Sequence, residues 1–428
     1  MGFSLRDMYY RFNNIWRHSG FQKYFKNTSW LFLSKFATMV FSFFATVYVV
    51  RYLQPTQYGA INYAISFVGI FSFLSSLGIE SILYRDLVKY PEKQDEYFGT
   101  AFVLRMCGAT IAFFSVLGSF LFINNSFQNR LIIIIIASGF FFQPFAVMAY
   151  YFQAKAESKS IAISGFFAVA SLSVLKIIFV FFKANITAFS FIFLLEPIFF
   201  AVAYGFSYYK HGNRIADWHF DFKLAKSMLS ASWPLMFSSA FVVIYSRIDQ
   251  VMLKSFFNEY TVGIYSVAAQ LSEYWYFIPI GIINSLVPAI VNGRLVSSSI
   301  YKKRAKWLTF YIASLTIVVA AVMSLFAKQI ILLIYGQDYV ASAPILRIYI
   351  WGGVGMSLGM VANQLLVVEN KTKIYFLSNM ISMICNIVLN LILIPIFGMK
   401  GAAFSTFISY SLVSLPYFFV GDNGMKRI

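Results

Sequence analysis

Twelve apolar stretches follow one another along this chain, separated by short polar connections, and each is long enough to cross a bilayer as a helix of about 20 residues. They lie near 29–50, 60–83, 100–123, 131–153, 161–182, 186–209, 227–252, 262–291, 307–334, 342–368, 374–397 and 401–420. Such a pattern leaves one solution. A run of that length with few charges reads as a spanning helix, in which the backbone polar groups are paired within the segment. The predicted fold is therefore an all-α integral membrane protein of about twelve transmembrane helices. Composition agrees. Sixty per cent of the residues are apolar and 12% charged, whereas soluble domains carry roughly 45–50% and about 25%. Phe alone occurs 50 times.

The basic residues set the orientation. Taking the connections alternately, one side holds twenty-three Lys and Arg and the other only Arg51, Arg130, Lys183, Lys254 and Lys400. Short basic connections stay in the cytoplasm, so both termini are expected there, in a cell inner membrane. The net charge of +18 is distributed among these connections rather than gathered on one face, which argues against nucleic acid as a partner.

No connection is long enough for a folded domain. The longest, 210–226, reads KHGNRIADWHFDFKLAK. No P-loop pattern occurs, so no ATPase is fused to the chain, and no cofactor or metal site is suggested. The expected organisation is a cytoplasmic segment at 1–28, a first set of six spans at 29–209, a cytoplasmic linker at 210–226, a second set at 227–420 and a cytoplasmic tail at 421–428. Residues 1–28 are basic and aromatic; an amphipathic surface helix and a disordered tail both fit them. Cys107 and Cys385 lie in apolar stretches and read as small core residues.

The two halves echo each other. Ser29-Trp30 recurs as Ser232-Trp233, and YGAINYA (Tyr58 to Ala64) as VGIYSVA (Val262 to Ala268), which aligns Gly59 with Gly263 and Ala64 with Ala268. An even number of spans per half makes such repeats parallel, related by an axis along the membrane normal.

Nine ionisable residues are counted within the spans: Lys35, Glu80, Arg105, Lys176, Glu196, Arg247, Asp249, Glu273 and Arg347. A central charge facing lipid costs roughly 2.5–3.5 kcal/mol on insertion scales, so they must meet each other, a wet cavity or the interface. Lys35, Glu80 and Arg105 lie near cytoplasmic ends, and Arg247, Asp249 and Arg347 near outer ends, where long side chains can snorkel. Glu196, Glu273 and Lys176 lie deeper. Arg247 and Asp249 are two apart on a helix and cannot face each other, so each needs its own partner or water; interhelical ties and an outer gate are both open readings. Pro144, Pro279 and Pro288 should kink spans four and eight. A mixed set of charges with an excess of cations suits phosphate or pyrophosphate, which Arg grips in a fork.

Two stretches resemble the polysaccharide (O-antigen-type) flippases of the multidrug/oligosaccharidyl-lipid/polysaccharide exporter superfamily. The first is VVRYLQPTQYGAINYAISF, continuing to LSSLGIESILYRDL. The second is YSRIDQVMLKSFFNEYTVGIYSVAAQL, with Asp249, Gly263, Tyr265 and Ala268 in the family's order. The resemblance implies two six-helix lobes around a central cavity. It implies a flippase that carries an oligosaccharide repeat unit on undecaprenyl pyrophosphate to the outer leaflet by alternating access, for O-antigen, capsule or exopolysaccharide. An H+ or Na+ gradient or downstream consumption would drive it, beside a polymerase or chain-length partner and membrane lipid. On that basis Lys35, Arg247 and Arg347 are expected to contact the headgroup, and Asp249, Glu273 and Glu80 to couple or gate.

The rival readings are an exporter of small cationic drugs with the same lobes, a peptidoglycan-precursor flippase, which commonly carries two further helices, and a membrane sugar polymerase or ligase. The last needs a catalytic acid or base on an outer loop, where only Glu259 and Asp338 stand; no catalytic residue is expected.

Overall fold

A computed structural model describes residues 19–123, 125–155, 157–369 and 371–420, with the side chains of 19–35, 158, 288, 294–296, 372 and 416–420 left out of the description. Among the described residues the chain is helix and short connections. Ten continuous helices are long and apolar enough to cross a membrane. One of them carries two crossings. The helix Ser19–Ile70 bends back at Gln54, whose backbone leaves the helical region just before Pro55. Phe43 meets Tyr274 edge to face and Phe36 packs tilted against Phe277 on the way out, and Ser66 meets Gln250 on the return. Met399–Val420 supplies the last crossing, giving the twelve expected. We call the end with the Lys/Arg-rich connections the basic end and the other the far end.

Large apolar side chains point outward all round the molecule, among them Phe114, Phe181, Val202, Val318 and Leu391. In water these would be a liability; in lipid they are the surface that fits. The interior is correspondingly polar for so apolar a chain, with Asn379, Ser382, Asn386, Asn390, Ser405 and Thr406 fully buried. The solvent is a bilayer, and the protein is a multi-pass membrane protein.

Four expected spans are altered. Span two does not run unbroken from 60 to 83. It stops at Ile70, makes one short turn (Ser72–Ser76), and resumes at Glu80–Lys89. Leu77 and Gly78 both have positive φ, and Gly78 lies so close to the backbone of Ser232 and Met236 in span seven that no Cβ would fit. Span four tightens to a 3-10 stretch at Gly139–Ala146 and span eight at Tyr274–Tyr276. Each lies beside a proline, Pro144 and Pro279, whose ring presses on the carbonyl four residues back. Span nine ends at Leu325 rather than 334. Lys328 therefore belongs to a separate short helix, Ala327–Ile334, as a sixth basic residue at the far end, and the count of nine charges in the spans had passed over it. Cys107 is exposed, not a core residue. Residues 1–18 and 421–428 lie outside the described residues, as do the expectations placed on them.

The repeat has a physical counterpart. Gly59 packs against the carbonyl of Glu259 and Gly263 against the carbonyl of Pro55. These four residues form two equivalent pairs at the same offset in sequence. A contact in which one partner's i meets the other's j, and j meets i, is the mark of a two-fold axis, here passing between the first turns of spans two and eight. The backbones approach too closely for any side chain. Around this crossing the bundles are tied by Arg51 donating to the carbonyls of Leu333 and Ile334 at 2.7 and 2.8 Å, Tyr339 to that of Val50 at 2.9 Å, and Asn129 to Glu259 at 2.9 Å. Deeper, Tyr58 donates to Gln270 at 2.6 Å and Ser66 to Gln250 at 2.7 Å. The far end is closed.

Candidate functional site: a charged cavity and a buried carboxylate

Asp249 sits on span seven (Phe222–Phe256) and is 2% exposed. Span eight brings Tyr265, whose hydroxyl donates to one carboxylate oxygen at 2.6 Å. Span eleven brings Asn390, which donates to the other at 2.5 Å, and span twelve brings Thr406, which also donates to the carboxylate. Asn386, one turn before Asn390, accepts from it at 3.1 Å. Among the described residues no Lys or Arg pairs with Asp249. Two polar atoms in the knot, Asn390 Oδ1 and Asn386 Nδ2, have no partner. An ionised carboxylate held by neutral donors is stable in a dry core only when something balances its charge. A proton on Asp249, or a small cation among its oxygen-rich neighbours, would do so.

Arg247, two residues earlier, points elsewhere, as helical spacing requires. Its Nη2 lies 3.9 Å from Glu273 Oε2, and Tyr349 donates to Glu273 Oε1 at 3.1 Å. Both charged side chains are partly exposed, 39% and 26%. Glu273 ends the helix Glu259–Glu273, at the turn that precedes Pro279.

Two cavities share the Ile65 and Phe193 walls. The larger, about 550 Å³, is lined from spans two, three, four and six and includes Arg105, Gln143, Tyr150, Gln153 and Glu196. The smaller, about 230 Å³, is lined from both bundles, with Thr46, Tyr58, Asn62 and Lys176 on one side and Gln270 and Tyr274 on the other. Lys176 donates to Thr46 at 3.4 Å. Glu196 is exposed to the space it lines, beside Pro197, through which the helix Ile186–Lys210 runs without a break. A chamber walled by cations, carboxylates, amides and phenols accepts a polar, charged ligand; an uncharged apolar one would leave these groups unpaired.

The remaining expected residues divide as follows. Glu80 opens the helix Glu80–Lys89 and is half-exposed, 3.8 Å from Arg105. Arg347 is exposed, near the start of Ala343–Val368, and does not line either cavity. Lys35 lies within the helix Ser19–Ile70, and its side chain is among those left out of the description. The structure thus brings Arg247 and Glu273 together, sets Asp249 in a knot of its own, and leaves Arg347 apart.

The family model described as polysaccharide biosynthesis protein matches residues 24–294. The chain belongs to the polysaccharide biosynthesis protein family. A MatE model also matches, over residues 234–392. The capsular polysaccharide biosynthesis protein CapF of Staphylococcus aureus is 22% identical over 401 residues, covering 92% of this chain and 98% of that protein. Among solved structures, an inward-facing multidrug resistance MATE family transporter of the MOP superfamily aligns with TM-score 0.74 at 14% identity, over 91% of this chain and 94% of that one. Lipid II flippase MurJ in an inward closed conformation aligns with TM-score 0.72 at 17% identity, over 92% and 87%. At these identities the likeness establishes the fold: twelve helices in two lobes.

For this member of the family, the partners of Asp249 were the chief residues missed. A signal for them existed. Ser378, Ser382, Asn386 and Asn390 recur at four-residue spacing in a largely apolar helix, which places four polar groups on one buried face. Counting only charges passed over it. Arg105 was counted, but as a residue able to snorkel; it is 5% exposed.

Proposed function

We propose that the chain is a flippase for undecaprenyl-pyrophosphate-linked oligosaccharide repeat units of a surface polysaccharide, moving them from the cytoplasmic to the outer leaflet by alternating access. The observation that carries this reading is a pair of adjoining cavities, one within the first bundle walled by Arg105 and Glu196 and one between the bundles beside Lys176, beneath a far end that is closed. With the basic end in the cytoplasm of an inner-membrane protein, such a chamber receives a headgroup from inside while the outside stays shut. Membership of the polysaccharide biosynthesis family supports the class of cargo, and the names of CapF and of the Lipid II flippase MurJ fit it.

In this reading the Arg247–Glu273 pair, partly exposed, exchanges partners as an anionic headgroup arrives, and Lys35 approaches from span one. Asp249 takes up a proton or a sodium ion, and its occupancy changes how spans seven, eight, eleven and twelve pack. A polymerase or chain-length protein receives the product. The test is a clean deletion in a strain without a paralogue. Loss of one surface polysaccharide, with lipid-linked units accumulating in the inner leaflet, is expected; normal surface polysaccharide contradicts the reading. The MatE match over 234–392 favours one alternative, export of small cations. Drug sensitivity in the deletion without a sugar phenotype would select it.

A further inference from the structure

Arg105 is the most deeply buried cation in the first bundle's cavity, and its hydrogen bonding is incomplete. It stands eleven residues into Gln94–Ser119, about 16 Å from the basic end of that helix. The side chain is 5% exposed. Among the described residues its one carboxylate partner is Glu80, whose nearest oxygen lies 3.8 Å from Nη2, beyond hydrogen-bond length. Nε has no partner at all. A guanidinium carries five donors in a planar fork, and leaving them unmet in a buried site is strongly unfavourable.

The surroundings fit an absent anion. Arg105 forms part of the wall of the 550 Å³ cavity, with Tyr150 beside it and Gln143 and Gln153 on the same span as Tyr150. Tyr150 interacts with both Glu80 and Arg105. Glu80 itself is half-exposed and follows the left-handed break at Leu77-Gly78. Nε, the guanidinium nitrogen without a partner, can with the adjacent Nη bind two oxygens of one phosphate.

We propose that Arg105 is the phosphate-holding residue of the first bundle: it grips the diphosphate of the lipid-linked substrate at the basic end of the cavity, with Tyr150 as a further donor and Glu80 as the carboxylate that the diphosphate displaces. This rests on the flippase reading and names a contact that reading does not. Neither Arg247 nor Arg347 lies in this cavity.

The test uses the full-length protein in nanodiscs, titrated with farnesyl pyrophosphate and, in parallel, farnesol, with thermal unfolding followed for every variant. Wild type should prefer the pyrophosphate. Arg105→Gln should lose about tenfold or more of that affinity while farnesol binding is unchanged. Arg105→Lys should fall between, because it keeps the charge and loses the fork. Glu80→Gln should bind the pyrophosphate as well as wild type or better, since it removes the competitor. If Arg105 only ties two helices together through Glu80, Glu80→Gln and Arg105→Gln will weaken binding in parallel, and that result overturns the proposal. Undiminished pyrophosphate affinity in a folded Arg105→Gln overturns it too and leaves the flippase reading standing. A wild type that does not distinguish farnesyl pyrophosphate from farnesol overturns both.

Discussion

The two bundles meet along a symmetric seam at Gly59 and Gly263, yet they hold charge in different ways. In the second, Asp249 is sealed in a dry knot with donors from three other spans. In the first, Arg105, Lys176 and Glu196 stand on cavity walls with long, single or missing contacts. A charge gained or lost inside a dry knot is felt by every helix that contributes a donor to it. A charge on a wet wall can meet a ligand without moving its helix. The contrast predicts that a change at Asp249 is felt by the helices around it, while the charges on the first bundle's walls and the partly exposed Arg247–Glu273 pair are free to meet a ligand.

If that division is right, truncation should separate the two sites most strongly in stability. Asp249→Ala leaves Asn390, Tyr265 and Thr406 without their acceptor and should cost about 3–5 kcal/mol, whereas Glu196→Ala, on an open wall, should cost under about 1 kcal/mol. Thermal unfolding in one detergent compares them directly, and equal losses would erase the distinction. Asp249→Asn is the gentler probe. The hydroxyls of Tyr265 and Thr406 can turn to accept from the new amide, so the fold should survive while flipping is lost.

The seam where the halves agree gives the next largest effect. Gly59→Leu inserts a side chain where none fits, so the far end cannot close. Flipping should fall by about a hundredfold, since an unfavourable shift of roughly 3 kcal/mol in a two-state balance does that much. A cysteine at Ser66, protected in the parent, should become reactive to an impermeant maleimide from the far side. Continued protection would show that the seam is not the gate.

Smaller changes follow. Glu273→Gln keeps the Tyr349 contact but loses the charge facing Arg247, at 3.9 Å and partly exposed; a reduction of about tenfold in flipping is expected, equivalent to one charge-assisted interaction. Arg347→Gln, exposed and outside both cavities, should behave as wild type in a polysaccharide assay. A strong defect there would place a third charge at the pathway and weaken the contrast between the bundles.

Much of this architecture is visible in the residues alone, for identifiable reasons. Crossing number and alternation follow from hydrophobic length and from where Lys and Arg collect, both of which are one-dimensional properties. The glycines at 59 and 263 could be aligned as text, and the structure shows why both must lack a side chain. Three features could not be found that way. The break at Leu77-Gly78 depends on how close span seven comes, which no local pattern encodes. The end of span nine depends on where lipid stops, so Lys328 was absorbed into an apolar run. The neutral cage of Asp249 is spread over spans eight, eleven and twelve, and only its Asn386 and Asn390 members leave a periodic trace.

The claim beneath all of this is that a charged headgroup crosses the bilayer through the chamber between the bundles. Purified protein in sealed liposomes, loaded with a short-chain polyprenyl-pyrophosphate sugar in one leaflet and probed by an impermeant lectin or glycosidase from the other, tests that directly. The account predicts that the sugar becomes accessible with wild-type protein and remains hidden with Asp249→Asn. Equal accessibility with both proteins, or none with either while the wild type is folded and correctly inserted, would contradict it.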